Sequence, residues 1–342
     1  MTQATIAILI IYTLLIVYAV FGSIDFGSGF WSMYYQGQKN TTAKDLSQQF
    51  LSPFWEISNV FLVFFVVSLI TFFPKAAFLF GTLLLVPASI ILLLLLIRSA
   101  MMGYAHAVKK RSEVLITISG ISGILIPGLL ISVLPVAQGG YIDQVDGRYV
   151  LSLTKLFTSP LEYNFLLFGV MSSLFISALF LCQRSLKLGD KSAFDSYLKN
   201  TLVTAPISYF LGVLLLVTIA YESPWLYEKM RVQMPWLLAS SLFFIIGYAL
   251  LFYKRQEMHQ SLLKTPLIPI LFGIQLILAA FVYGRAHFPY IIYPILPIDI
   301  GMTNSPMYTA LLYTTIIGLI IMVPAFYLFF KLFFKTHQQE NS

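Results

Sequence analysis

Three ionisable side chains sit where nearly every neighbour is apolar. Asp25 lies in FGSIDFGSGFW, Glu56 in SPFWEISNVFL and Arg98 in ILLLLLIRSAMMGY. A charged side chain inside a membrane helix costs roughly 2.5–3.5 kcal/mol on insertion scales, so such residues usually face a polar partner or a pathway. Two acids and a guanidinium suit two chemistries. They can form a desolvated salt-bridge cluster that pins helices together. Alternatively, they can exchange protons with water on one side and pass them to a buried acceptor on the other. Ser23, Ser28, Ser58 and Asn59 supply nearby polar atoms, and Trp55 adjoins Glu56. Gly22, Gly27 and Gly29 fit both readings, because small residues let helices approach and leave room for water.

The elements that must position these residues follow from composition. Of 342 residues, 58% are hydrophobic and 10% charged, against about 25% charged in soluble domains. The chain therefore belongs in lipid, as a single polytopic membrane domain spanning 1–342. The formal charge of +7 is an excess of loop Lys and Arg rather than a nucleic-acid footprint. Nine apolar segments predict nine transmembrane helices, roughly 4–30, 53–73, 76–104, 114–135, 160–182, 201–221, 235–253, 266–284 and 307–334. Ser52 and Pro53 read as the N-cap and first position of the second helix, and Ser159-Pro160 as the same start for the fifth. The third and ninth segments exceed a straight span, which implies tilt or projection into the water layer. The stretch 135–159 reads as a surface loop and the proline-rich 285–306 as an ordered extramembrane excursion. Trp31, Trp55, Trp225 and Trp236 fall near expected interfaces, where aromatic belts belong. The N-terminus lacks a basic n-region and cleavage site, so it is expected to stay as the first helix.

The positive-inside rule sets the orientation. Lys39, Lys44, Lys109, Lys110, Arg111, Arg184, Lys187, Lys191, Lys199, Lys254, Arg255, Lys264, Lys331 and Lys335 fall on one side; Lys75, Arg148, Lys155, Lys229, Arg231 and Arg285 fall on the other. The richer side is cytoplasmic, with the N-terminus outside and the C-terminus inside. The first and third helices then run inward and the second runs outward. This puts Asp25, Glu56 and Arg98 at one depth near the cytoplasm.

Other chemistries lack support. The single cysteine, Cys182, excludes an internal disulfide framework and reads as a small buried hydrophobe. His106, His259, His287 and His337 all lie at helix ends, in loops or in the tail, whereas a haem held by this chain would need axial ligands within its helices. His287 reads as a loop or interfacial hydrogen-bonding residue, and Met101, Met102 and Met171 as packing. No P-loop, zinc motif, dinucleotide turn or nucleophile elbow is present.

The chain resembles subunit II of the cytochrome bd quinol oxidases. The family's Gly-Phe-Asp-x-Gly-x-Gly motif reads Ser23-Ile24-Asp25-Phe26-Gly27-Ser28-Gly29 here, with the first two positions departing. Its Pro-x-Trp-acid opening reads Pro53-Phe54-Trp55-Glu56, followed by Ser58, Asn59 and Val60. Arg98 matches an Arg late in the third helix, and Phe288-Pro289-Tyr290 a Phe-Pro-aromatic sequence after the eighth. The resemblance implies two four-helix bundles plus a peripheral helix. It implies a heterodimer with a homologous subunit I that carries the quinol site, two b-type haems and one d-type haem, with room for small single-helix subunits. The complex would sit in a bacterial cytoplasmic membrane, oxidise quinol, reduce dioxygen to water and draw protons from the cytoplasm. Asp25, Glu56 and Arg98 would line that proton route, supported by Ser28, Trp55, Ser58 and Asn59; no catalytic or metal-binding residue is expected on this chain. The alternatives are a proton-coupled transporter and an inert scaffold. A search for the internal repeats common in transporters finds none.

Overall fold

The computed structural model describes residues 2–38, 40–108, 113–253 and 266–339. Lys39, Lys109, Lys110, Arg111, Lys254, Arg255, His259 and Lys264 lie outside them, as do the side chains of Ser52, His106, Lys335 and His337. The long helices are α1 Gln3–Gly37, α2 Thr41–Phe72, α4 Leu85–Val108, α5 Glu113–Ile131, α8 Pro160–Leu188, α9 Lys191–Glu222, α11 Met234–Tyr253, α12 Leu267–His287 and α14 Ser305–Gln339. Among the described residues, nine helices are long and apolar enough to cross a membrane. Shorter pieces are α3 Pro74–Leu83, α6 Val133–Ala137, α7 Leu153–Thr158, α10 Pro224–Val232 and α13 Ile298–Gly301. Strands β1 Ile142–Val145 and β2 Arg148–Leu151 form one antiparallel hairpin, and β3 Tyr290–Ile292 pairs with β4 Leu296–Pro297 in a second.

Several helix ends differ from expectation. At 35 residues, α1 is about 50 Å long and outruns a hydrocarbon core of about 30 Å. Helix α2 starts at Thr41, where the Asn40 side chain accepts from Ala43 N (3.3 Å). Pro53 is therefore interior, and Ser52-Pro53 is not a helix start. Hydropathy locates the lipid boundary, while the backbone continues into the water layer until a cap ends it. Ser159 does cap α8, accepting from Glu162 N at 3.1 Å. The third segment breaks at Leu84 into α3 and α4. The 135–159 loop carries the first hairpin and α7, and the 285–306 excursion is ordered as the second hairpin and α13.

Helix α1 is the hub, packing against α2, α5 and α8; α4 packs on α5, α8 on α9 and α11 on α12, while α14 lies against α2. A Cβ at Gly27 would collide with Ser177 of α8, so glycine permits the α1–α8 approach. Trp31 belongs to the core rather than an aromatic belt: it is 4% exposed and donates from Nε1 to Ser177 Oγ at 3.0 Å. Trp236 is half exposed, as a belt residue would be, and Cys182 is buried.

Candidate functional site

Asp25 and Arg98 are each 1% exposed and form an ion pair of 2.7 Å between α1 and α4. Arg98 Nη2 donates to Asp25 Oδ1 (2.7 Å) and to the Asp25 carbonyl (2.9 Å). Nη1 donates to the Ser119 carbonyl (2.8 Å) and Ser122 Oγ (3.3 Å) on α5. The guanidinium also lies 5.2 Å from the centre of the Phe26 ring. One arginine therefore fastens three helices. A buried pair like this repays desolvation only when the remaining donors and acceptors are met. Gly29 makes the site possible: a Cβ there would lie 2.7 Å from Ser119 Oγ and 2.9 Å from Arg98 Nη1.

Helix α2 contributes Ser58, which donates to Asp25 Oδ2 at 3.2 Å. Ser58 Oγ also lies 3.1 Å from the Trp55 carbonyl, so it has a second acceptor in reach. Trp55 donates from Nε1 to Ser99 Oγ (3.2 Å), tying α2 to α4. Glu56 does not join the pair. It is exposed on the outside of α2, in a stripe with Val60, Val63, Val67 and Ile70. Asn59 is half-buried and is not among the hydrogen-bond partners of the pair. Ser23 enters through its carbonyl, which accepts from Ser173 Oγ at 3.2 Å.

Sequence reasoning missed Ser119 and Ser122, and also Tyr18 and Ser32. The last two carried a signal: Tyr18, Asp25 and Ser32 recur every seven residues, and with Ser28 they form one polar face on α1. The hydroxyls of Tyr18, Ser28 and Ser32 are buried without a protein partner.

A second polar cluster, buried at Glu162 and half-buried at Glu222, lies at the opposite ends of the helices. Ser132 Oγ donates to Glu162 Oε1. Glu222 Oε1 accepts from Leu161 N (3.0 Å), and Glu222 Oε2 is reached by Ser159 Oγ (2.5 Å) and Tyr141 Oη (3.0 Å). Burial first, then the neighbouring acids, push the Tyr141 phenol well above its ordinary value, against the pull of its hydrogen bond to Ser159.

A buried ion pair within a polytopic helical fold defines a membrane protein built to hold charge below the lipid surface. The cytochrome bd terminal oxidase subunit II family model matches residues 3–333. A Bacillus subtilis (strain 168) protein described as a cytochrome bd menaquinol oxidase subunit II is 43% identical over 334 residues, covering 98% of this chain and 96% of that one. The bd oxidase structure from Geobacillus thermodenitrificans matches with a TM-score of 0.79 at 34% identity, covering 97% of this chain and 99% of that one. The chain belongs to the cytochrome bd terminal oxidase subunit II family. It is thus a component of a respiratory oxidoreductase complex with a partner subunit I.

Among the described residues, no three His, Cys, Asp or Glu side chains gather where a metal could be held. His287 is the histidine whose side chain is described, and its Nδ1 donates to the Tyr290 carbonyl at 2.9 Å. Its ring stacks on Tyr283 at 5.9 Å and meets Trp225 edge-on at 5.5 Å. The cavities beside Arg98 and Ser132 are each about 20 Å³, far below the size of a haem.

Proposed function

We propose that this chain is the non-haem subunit of a quinol-dependent terminal oxidase, and that it conducts protons from the cytoplasm toward the haems of subunit I, where dioxygen becomes water. The observation that carries the reading is the Asp25–Arg98 pair, buried to 1% exposure and continued along α1 by Ser28, Ser32 and Tyr18. Ser58 supplies the moving part. With Asp25 ionised, its hydroxyl donates to Oδ2. When Asp25 takes up a proton, Ser58 turns its own hydrogen to the Trp55 carbonyl and accepts from the new carboxyl O–H.

Glu56 plays a separate part at the subunit boundary. Its stripe lies between α4, which Trp55 reaches through Ser99, and α14, whose Phe326 sits 5.6 Å from Phe61. An acid is costly against lipid, so this face is where subunit I packs. There Glu56 can pass a proton across. With the N-terminus outside, both acids lie toward the cytoplasm, the side from which the protons are drawn. The haems supply electron transfer and oxygen chemistry; the residues named here hold and move protons.

Quinol-driven oxygen uptake per haem in the assembled complex tests the reading. Asp25→Asn and Glu56→Gln should slow uptake with haem content unchanged, and wild-type rates in both would sink the proton route. Orientation has its own test. A Cys at Gln144 should be labelled from outside and one at Gln338 should not; the reverse pattern would overturn the cytoplasmic placement. A structural reading draws on how fully the pair is hydrogen-bonded. It predicts lost stability and intact turnover in the same variants.

A further inference from the structure

A guanidinium carries five N–H donors. Four of those on Arg98 are engaged with Asp25, Ser119 and Ser122. The fifth, on Nε, has no partner, and the Ser119 hydroxyl has none either. Both residues are more than nine-tenths buried, at 1% and 5% exposure. Both line the same cavity of about 20 Å³, whose other walls include Leu51 of α2, Met101 and Met102 of α4 and Ile116 of α5. A water molecule needs roughly 10–15 Å³ of such space and at least two polar partners. The cavity meets both conditions. Its donor and acceptor pattern also fits: Nε–H can donate to the water oxygen, and the water and Ser119 Oγ can bond to each other.

The geometry points to a bound water held by Arg98 Nε–H and Ser119 Oγ, and to this cavity as the port through which the buried ion pair meets the solvent. The walls come from the end of α4, the start of α5 and Leu51 of α2, on the guanidinium side of the pair; Ser58, on the carboxylate, does not line it. Glu56, on the outside of α2, is not part of the port. Asp25 and Glu56 are thus served by separate approaches rather than in series along one helix face. The water stands on the geometry alone. Its role as a port rests on the reading of Asp25 as a proton-uptake group.

Cryo-electron microscopy of the purified oxidase complex, at a resolution that reveals ordered water, tests the first part. Density within hydrogen-bonding distance of both Arg98 Nε and Ser119 Oγ is expected. An empty cavity in the wild-type map would overturn the water. The port is tested by filling the cavity with Ile116→Phe, with Met102→Phe as a second variant should the first not assemble. In either, the density should disappear while the Asp25–Arg98 pair persists, and oxygen uptake per haem should fall several-fold with haem content unchanged. A wild-type rate with the cavity visibly filled and Asp25→Asn impaired would overturn the port alone. A wild-type rate in Asp25→Asn would instead defeat the proton-uptake reading and the port with it, leaving the water to be judged by its density.

Discussion

The two polar clusters hold charge in opposite ways. Near one end of the bundle, Asp25 is matched by Arg98, and carbonyls and hydroxyls from α1, α2 and α5 complete the set. Near the other end, Glu162 and Glu222 share a neighbourhood with Ser132, Ser159 and Tyr141, and no basic group hydrogen-bonds to either acid among the described contacts. Glu222 works as a clamp, taking the first-turn Leu161 N–H of α8 and the capping Ser159 onto the end of α9. The contrast separates an acid paired with a cation from acids held by hydroxyls and a backbone N–H. An acid that caps helix ends joins elements; the proposed proton exchange at Asp25 draws instead on the second acceptor within reach of Ser58 and on the water-sized cavity beside Arg98.

Arg98→Leu is expected to have the largest effect. It leaves Asp25 buried and unpaired, a loss of about 3–5 kcal/mol for pairs of this kind, and the yield of haem-loaded complex should collapse. Normal assembly would mean the pair is not the anchor described. Next comes Glu56→Gln, which keeps shape and hydrogen bonding but cannot exchange a carboxyl proton. Oxygen uptake per haem should drop by about tenfold or more, with Glu56→Asp partly active and Asp25→Asn impaired to a lesser degree.

In the Glu162–Glu222 cluster, Tyr141→Phe removes the phenol's hydrogen bonds with Glu222 and Ser159. It should cost about 1 kcal/mol in thermal unfolding of the complex and leave the rate alone, and Glu162→Gln should turn over at the wild-type rate. A slowed Glu162→Gln enzyme would erase the distinction between the clusters. The smallest effect belongs to the exposed Asp143–Lys155 pair between β1 and α7 (2.5 Å). The Lys155 hydrogen bond holds the Asp143 carboxyl below its usual range. Any stabilisation is therefore present above the unfolded-state carboxylate range and fades as pH falls through the lowered folded value. Lys155→Ala should leave thermal unfolding at neutral pH unchanged.

The membrane class, the nine spans, the family motifs and a common level for Asp25 and Arg98 were legible in the linear string. Those properties depend on hydropathy and on distance along a helix, which a linear string records. It did not determine rotation about the helix axes. Glu56 and Asp25 share a depth, yet Glu56 points outward, and Ser58, about 200° further round at 3.6 residues per turn, is the α2 side chain that reaches Asp25. The outward stripe of Val60, Val63 and Val67 hinted at this, but in lipid an apolar face reads alike whether it meets a helix, a partner or acyl chains. The clamping of Arg98 by Ser119 and Ser122 was invisible for a related reason. Serines are ordinary in membrane helices, and which carbonyl turns toward a guanidinium is settled only when α1, α4 and α5 pack. The true ends of α1 and α2 lay beyond the apolar runs because caps and water-layer contacts end a helix, not the edge of the lipid.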